Sequence, residues 1–147
     1  MQKHRIKSNN LGRDTAHHKS LLRNLGTSMV LNGSLETTLP KARALRPVIE
    51  KLVTRARIGD LNSRRAMHAF FFTDVAVDKM LTEVAPKFKE RSGGYTRIVK
   101  LGPRKNDRAE VARIEFIDKV GQVEAPKVAS KIGKKKATKV VKEEPVV

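Results

Sequence analysis

Cysteine is absent from this chain, and its apolar runs are short. Without cysteine there is no disulfide framework, no thiolate nucleophile and no cysteine-based zinc site. No apolar run approaches the roughly 20 residues that a membrane span requires. The first residues, Met1 to Arg5, lead into polar sequence instead of the apolar stretch of a signal peptide. We therefore expect a soluble protein that is not exported and has no membrane partner.

The sequence also lacks the motifs of common catalytic sites. His17 and His18 are adjacent, so on a helix they point in different directions, and His4 and His68 supply no metal-ligand spacing. Neither a Gly-x-Ser-x-Gly motif nor a phosphate-binding glycine loop followed by Lys-Ser/Thr occurs. A metal-dependent nuclease needs several carboxylates that converge on one site. The candidate carboxylates of this chain are predicted to be helix caps, charges on helix surfaces and a strand end; they are Asp60, Asp74, Asp78, Glu83 and Asp118. We expect no enzyme activity, no cofactor and no metal.

Acidic residues are scarce relative to basic ones. The chain has 32 Lys and Arg against 15 Asp and Glu, which gives a formal net charge of +17. A folded unit with this charge attracts phosphates over a Debye length of about 8 Å at physiological salt, and it repels other copies of itself. Nucleic acid is therefore the leading partner.

Three zones of different composition follow one another along the chain. Residues 1–13 form a basic arm with few bulky apolar side chains. Residues 14–118 alternate apolar periodicity with turn signals, as one folded domain does. Residues 119–147 are rich in Lys and lack aromatic side chains, so they cannot bury enough surface to offset the entropy of ordering. We expect this last zone to be a disordered basic tail.

The sequence of the first half of the domain predicts two helices with a short strand between them. Asp14 or Thr15 can cap a helix that ends at Asn32-Gly33, and the sequence from Ser34 to Leu39 predicts a strand. The second helix carries an apolar stripe at three- and four-residue spacing, which predicts that it faces the core. This stripe consists of Ala42, Leu45, Ile49, Leu52 and Ala56. Pro47 lies inside this helix and predicts a kink or a delayed start.

The sequence of the second half of the domain predicts two more helices, followed by a β-hairpin. The helices run from Arg64 to Phe72, with Phe70–Phe72 mostly in the core, and from Thr73 or Asp74 to Pro86. The sequences from Tyr95 to Leu101 and from Ala109 to Ile117 alternate in character and predict two strands. The order helix, strand, three helices, two strands predicts an α+β fold of two layers, with helices packed on one face of a small mixed sheet.

Several groups of cations are candidate nucleic-acid contacts. The arm carries Lys3, His4, Arg5, Lys7 and Arg13 among small polar residues that let the backbone approach a nucleic acid closely. Further candidates lie on predicted helix surfaces, where a merely solvated face is the alternative interpretation. These are His17, Lys19, Arg23, Lys41, Arg43, Arg64 and Arg65.

The run from Arg91 to Arg97 is a second candidate contact. Gly93 and Gly94 permit close backbone approach, Tyr95 offers a stacking face, and Arg91 and Arg97 flank it with positive charge. The alternative interpretation is a turn that leads into the hairpin, with Tyr95 packed in the core.

Three strings of residues, in order along the chain, resemble a known family. They are Leu11-Gly12-Arg13 with His17 and Leu21-Leu22-Arg23-Asn24-Leu25, then Thr37-Thr38-Leu39-Pro40-Lys41-Ala42, and finally Arg91-Ser92-Gly93-Gly94-Tyr95-Thr96-Arg97-Ile98. The series is similar to the motifs of the bacterial ribosomal large-subunit protein seventeen family, over roughly residues 3–118. The chain departs from the family pattern at Gln2 and His18, which puts only the individual contacts there in doubt.

The resemblance implies a function and a set of partners. It implies a structural component of the large ribosomal subunit that binds large-subunit ribosomal RNA near the exit of the peptide tunnel and supports translation. It also implies a two-layer α/β fold, neighbouring ribosomal proteins as partners, a cytoplasmic location on the ribosome, and a monomer when free. The alternative is a free basic protein that compacts DNA or chaperones RNA.

Overall fold

The computed structural model describes residues 10–118, which form a single α+β unit. The predicted basic tail over residues 119–147 lies outside the described residues. So does the arm up to residue 9, including Lys3, His4, Arg5 and Lys7.

The first helix, α1, spans Thr15–Asn32 and has the predicted ends. The Asp14 carboxylate accepts a hydrogen bond from the backbone N–H of His17, at 3.4 Å. Gly33 ends the helix at φ 74°, a left-handed conformation that glycine adopts at little cost. The chain then enters β1, Ser34–Thr38.

The second helix, α2, spans Leu39–Ala56 and starts with Pro40 in its first turn. Pro47 has no N–H and so removes one backbone hydrogen bond, yet the helix runs through it without interruption. The predicted delay of the helix start is therefore wrong. Pro47 lies on the exposed side, while the apolar stripe on the opposite side is packed in the core and holds the helix in place.

The remaining helical chain folds back across α2. Helix α3 spans Leu61–Phe70, and its cap Asp60 accepts a 2.7 Å hydrogen bond from the Ser63 N–H. Helix α4, Asp74–Lys79, continues through a π-helical turn, Met80–Val84, into a short α5, Ala85–Lys87. The helix thus ends one residue beyond Pro86, where we predicted it to stop.

The sheet has three strands in the order β1-β3-β2, with β2 spanning Thr96–Pro103 and β3 spanning Glu110–Phe116. Both pairings are antiparallel, and Ile114 of β3 is opposite Leu35 on one side and Ile98 on the other. The expected α+β class and element order are confirmed, but the sheet is not mixed. The hairpin makes β3 antiparallel to β2, and β1 then joins the free edge of β3 in the direction opposite to β3.

The core lies between the inner face of the sheet and the helices. Helix α2 contacts all three strands as well as α1 and α3. The fully buried side chains of this core include Leu45, Ile49, Val53, Met67, Phe88 and Ile114. The outer face of the sheet carries ion pairs and half-exposed apolar side chains instead. Within residues 10–118, no helix combines the length and the hydropathy needed to cross a bilayer.

The position of Ile49 in this core generates a stability prediction. Ile49→Ala should lower the free energy of unfolding by about 2 to 5 kcal/mol, because it removes buried surface and leaves a cavity. Val75→Ala is a matched control, since Val75 is 67% exposed, and should change stability by less than about 0.5 kcal/mol. Urea unfolding followed by circular dichroism measures both. Equal effects of the two substitutions would contradict the packing described here.

Candidate nucleic-acid interface

A groove of about 530 Å³ lies between α2 and the loop that precedes β2. Its α2 wall carries Lys51 and Arg55, and its opposite wall is formed by Ser92 and Gly93. Glu50 also lines the α2 side and Tyr95 the loop side, so two cations and one carboxylate border this groove.

A second groove, of about 390 Å³, lies between the beginning of α2 and β2. Arg43 and Arg46 contribute from the helix, and Lys100 contributes from the strand. From Arg43 to Arg55 the helix advances about 18 Å, at 1.5 Å per residue. We call the five cations of the two grooves the α2 track: Arg43, Arg46, Lys51, Arg55 and Lys100.

Most of the α2 track is free of acidic partners. Arg46 forms a 3.1 Å ion pair with Glu50, which also accepts a hydrogen bond from Thr96. Among residues 10–118, no carboxylate pairs with Arg43, Lys51, Arg55 or Lys100. Their charges are therefore available to an anion from outside the domain.

The Gly93-Gly94 loop borders the track and leaves space around it. A Cβ added at either glycine would meet no atom within 4 Å. Gly94 has φ +65°, where a side chain is strained, whereas Gly93 requires no such conformation. The backbone at Gly93 is thus open to close approach by another molecule.

Tyr95, at the end of this loop, is packed in the core. Its side chain is 1% exposed, and its ring lies 5.3 Å from that of Phe88, centroid to centroid. The hydroxyl accepts a 2.8 Å hydrogen bond from Arg57, whose other terminal nitrogen donates to the Lys89 carbonyl at 2.7 Å. The core interpretation is thus the one that the structure supports, because a buried ring has no open face for a base.

The cations predicted on α1 divide into free and engaged groups. His17 and Lys19 are exposed on the first turns, whereas Arg13 folds back to donate to the Leu11 carbonyl at 2.8 Å. Arg23 donates from Nε to the Phe70 carbonyl at 2.6 Å, and its guanidinium lies 4.0 Å from the centroid of the Phe72 ring. Arg23 is thus held in one orientation by the turn that follows α3.

Two of the predicted cations are compensated by acids. Arg64 pairs with Asp78 at 3.0 Å, and Arg97 pairs with Glu115 across the outer face of the sheet. The remaining predicted positions are scattered: Lys41 is half-buried and lines neither groove, while Arg65 and Arg91 are exposed.

The hairpin shows the same compensation at arginines that we did not predict as contacts. The hydrogen bond from Arg104 holds the pKa of Asp107 well below its usual range. In the same way, the hydrogen bond to Glu36 raises the pKa of Arg113. These arginines are exposed, but they already have carboxylate partners.

Lys51, Arg55, Arg46 and Lys100 are candidate contacts that the sequence did not single out. The signal was present, because cations recur at three- and four-residue spacing on the exposed side of α2. Sequence alone does not say which part of that side borders β2 and the glycine loop. Within the described part of the chain, no three His, Asp or Glu side chains are grouped to hold a metal ion.

A small α+β domain with a row of uncompensated cations defines a basic protein suited to binding a polyanion. Comparison with known proteins is more specific. The sequence pattern of the family described as Ribosomal protein L17 matches residues 21–117. The chain belongs to the ribosomal protein L17 family.

Individual relatives agree with this assignment. The large ribosomal subunit protein bL17 of Campylobacter jejuni strain 81-176 is 52% identical over 107 residues, which cover 73% of this chain and 92% of the relative. The protein of the same name from Akkermansia muciniphila is 50% identical over 116 residues, covering 79% of this chain and 85% of the relative. The predicted family is confirmed: the chain is a structural, non-enzymatic ribosomal protein.

The burial of Tyr95 can be tested directly. Tyr95→Leu should lower the free energy of unfolding by about 2 to 4 kcal/mol, since it leaves a cavity and removes the hydrogen bond to Arg57. Tyr95→Phe should cost less, about 1 to 2 kcal/mol, because only the hydroxyl is lost. Thermal or urea unfolding measures both. A Tyr95→Leu variant with normal stability and weakened RNA binding would contradict the core assignment.

Proposed function

We propose that this chain is held on large-subunit ribosomal RNA by the α2 track and the Gly93-Gly94 loop, together with its basic arm. The observation that carries the proposal is that four of the five cations in the two grooves have no acidic partner among residues 10–118. The names of the relatives assign them to the large ribosomal subunit, which supports the choice of RNA.

The chemistry of the grooves suits an RNA backbone. Lys and Arg supply affinity by neutralising phosphates and releasing counterions, while backbone groups and shape select where the chain binds. A wall made by Ser92 and Gly93 lets a sugar-phosphate strand approach the main chain, opposite Lys51 and Arg55. This is an arrangement in which a strand can lie between a helix and a loop.

The arm is the second part of the proposed interface. It carries Lys3, Arg5 and Lys7, and it joins the domain at Arg13, beside the exposed His17 and Lys19. Cations therefore lie on both sides of this junction along the chain, and those on the first turns of α1 are exposed to solvent.

The remaining parts of the proposal rest on family membership. A position near the exit of the peptide tunnel, contacts with neighbouring ribosomal proteins and a monomeric free state are what the resemblance to this family implies. The large positive charge supports the monomer, since copies of the chain repel one another before RNA supplies counter-charge.

The α2 track is tested by removing charge from one groove. The double variant Lys51→Gln/Arg55→Gln should reduce the slope of log binding constant against log salt by about 1.4 to 1.8, because each lost phosphate contact removes about 0.7 to 0.9. Filter binding of the full chain to protein-free large-subunit ribosomal RNA, at several salt concentrations, measures the slope.

The matched control removes the same charge from compensated positions. Arg104→Gln/Arg113→Gln lowers the net charge by the same amount, but both arginines already have carboxylate partners. We expect it to change the slope clearly less than the groove variant does. Equal slopes for the two variants would show that only total charge matters and would overturn the role of the grooves.

The open space at Gly93 generates a second test. Gly93→Val should weaken binding by about tenfold, equivalent to 1.4 kcal/mol, because the side chain extends into the groove from a position where an added Cβ meets no atom of the fold within 4 Å. Its thermal stability should stay near that of the unsubstituted chain. Ala69→Val adds similar bulk at an exposed site on α3 and should bind normally. Normal binding by Gly93→Val would contradict close approach at the loop.

A further inference from the structure

Phe72 is the one aromatic side chain of this protein that is largely open to solvent. The sequence has five Phe, one Tyr and no Trp, and all six aromatic residues lie within the described region. Phe71, Phe88, Tyr95 and Phe116 are buried and Phe70 is partly buried, whereas Phe72 is 49% exposed. The expectation of a mostly buried Phe70–Phe72 run therefore fails at Phe72, where a large apolar surface stays uncovered.

The exposed ring is held against α1 by several contacts. The Arg23 guanidinium lies 4.0 Å from the ring centroid, and its Nε donates to the Phe70 carbonyl at 2.6 Å. The Phe72 N–H donates to the Thr27 hydroxyl at 3.4 Å, and that hydroxyl donates in turn to the Arg23 carbonyl at 2.8 Å. Ring and guanidinium thus form one pre-organised unit, which we call the Arg23–Phe72 platform.

The platform has unused binding capacity. Within residues 10–118, the two terminal nitrogens of Arg23 make no hydrogen bond and no ion pair. Lys19 lies one turn earlier on the same side of α1 and is exposed. The nearest acid along the chain, Asp74, contacts the His68 imidazole at 3.2 Å, which offsets the carboxylate charge only when the imidazole is protonated. The surroundings of the ring therefore favour an anionic ligand with a flat apolar part.

We propose that the Arg23–Phe72 platform binds an unpaired nucleotide of ribosomal RNA, with the base against Phe72 and the phosphate on Arg23 and Lys19. Unpaired bases of RNA are recognised by stacking on aromatic side chains and guanidinium planes, and phosphates by the charges beside them. This inference rests on the proposed function, but it concerns a different surface and a different kind of contact from the α2 track.

The test replaces the ring by an apolar side chain without a π face. Phe72→Leu should weaken binding of the full chain to protein-free large-subunit ribosomal RNA by about 5- to 150-fold, the range found when one stacking residue is removed. The salt dependence should stay unchanged, since no phosphate contact is lost. Phe72→Trp should bind at least as well as the unsubstituted chain. The control Leu61→Ala, at a site 64% exposed on α3, should bind normally.

Chemical probing of unpaired bases locates the contact. In the presence of Phe72→Leu, one or a few bases that the unsubstituted chain protects should become reactive, while the other protections remain. Unchanged affinity and unchanged protections for this variant would overturn the inference. So would normal RNA binding combined with poor incorporation into subunits, which would assign the ring to a protein partner.

The same experiment separates this inference from the proposed function. If the unsubstituted chain fails to bind the RNA, the proposed function falls and the platform falls with it. If the unsubstituted chain binds and the Lys51→Gln/Arg55→Gln variant shows the expected smaller salt slope, while Phe72→Leu binds normally, only the platform is overturned.

Discussion

Burial of the apolar stripe of α2 against the sheet is the contact on which the rest of this structure depends. Ile49 and its neighbours on the stripe are fully buried, and α2 contacts all three strands. A helix that buries one side must expose the other, so the same contact turns Lys51 and Arg55 towards solvent. It also sets α2 beside β2 and the glycine loop, and thereby creates the two grooves.

The cations of the described region fall into two classes, those that pair with a carboxylate and those that do not. Arg97, Arg104 and Arg113 have acidic partners, whereas four cations of the α2 track have none among residues 10–118. Exposed ion pairs contribute little to stability, typically about 0 to 1 kcal/mol each. Their main consequence here is that these carboxylates neutralise arginines outside the α2 track.

Much of the fold followed from local signals. The Asp14 cap and the Gly33 end of α1 were predictable because capping depends on a few adjacent residues. The hairpin was predictable because alternation and turn residues are local as well. For Pro47 the sequence left a kink and a delayed helix start open, and only the structure shows that α2 already begins at Leu39. The sequence also did not predict the relative strand directions, because these depend on which edge of the β2–β3 hairpin β1 joins.

The sequence by itself determined the class of this protein: a basic α+β domain, its element order and its family, because charge, periodicity and motifs are properties of the chain. Only the tertiary structure decided which side chains are available. Tyr95 and Phe72 show the difference. The sequence left open whether the Tyr95 ring stacks at a surface or packs in the core, and it is buried; Phe72 belongs to a run expected mostly in the core, and it is half exposed. Two aromatic residues look alike in sequence, and their exposure depends on contacts with residues distant along the chain, such as Arg57 for Tyr95 and Arg23 for Phe72.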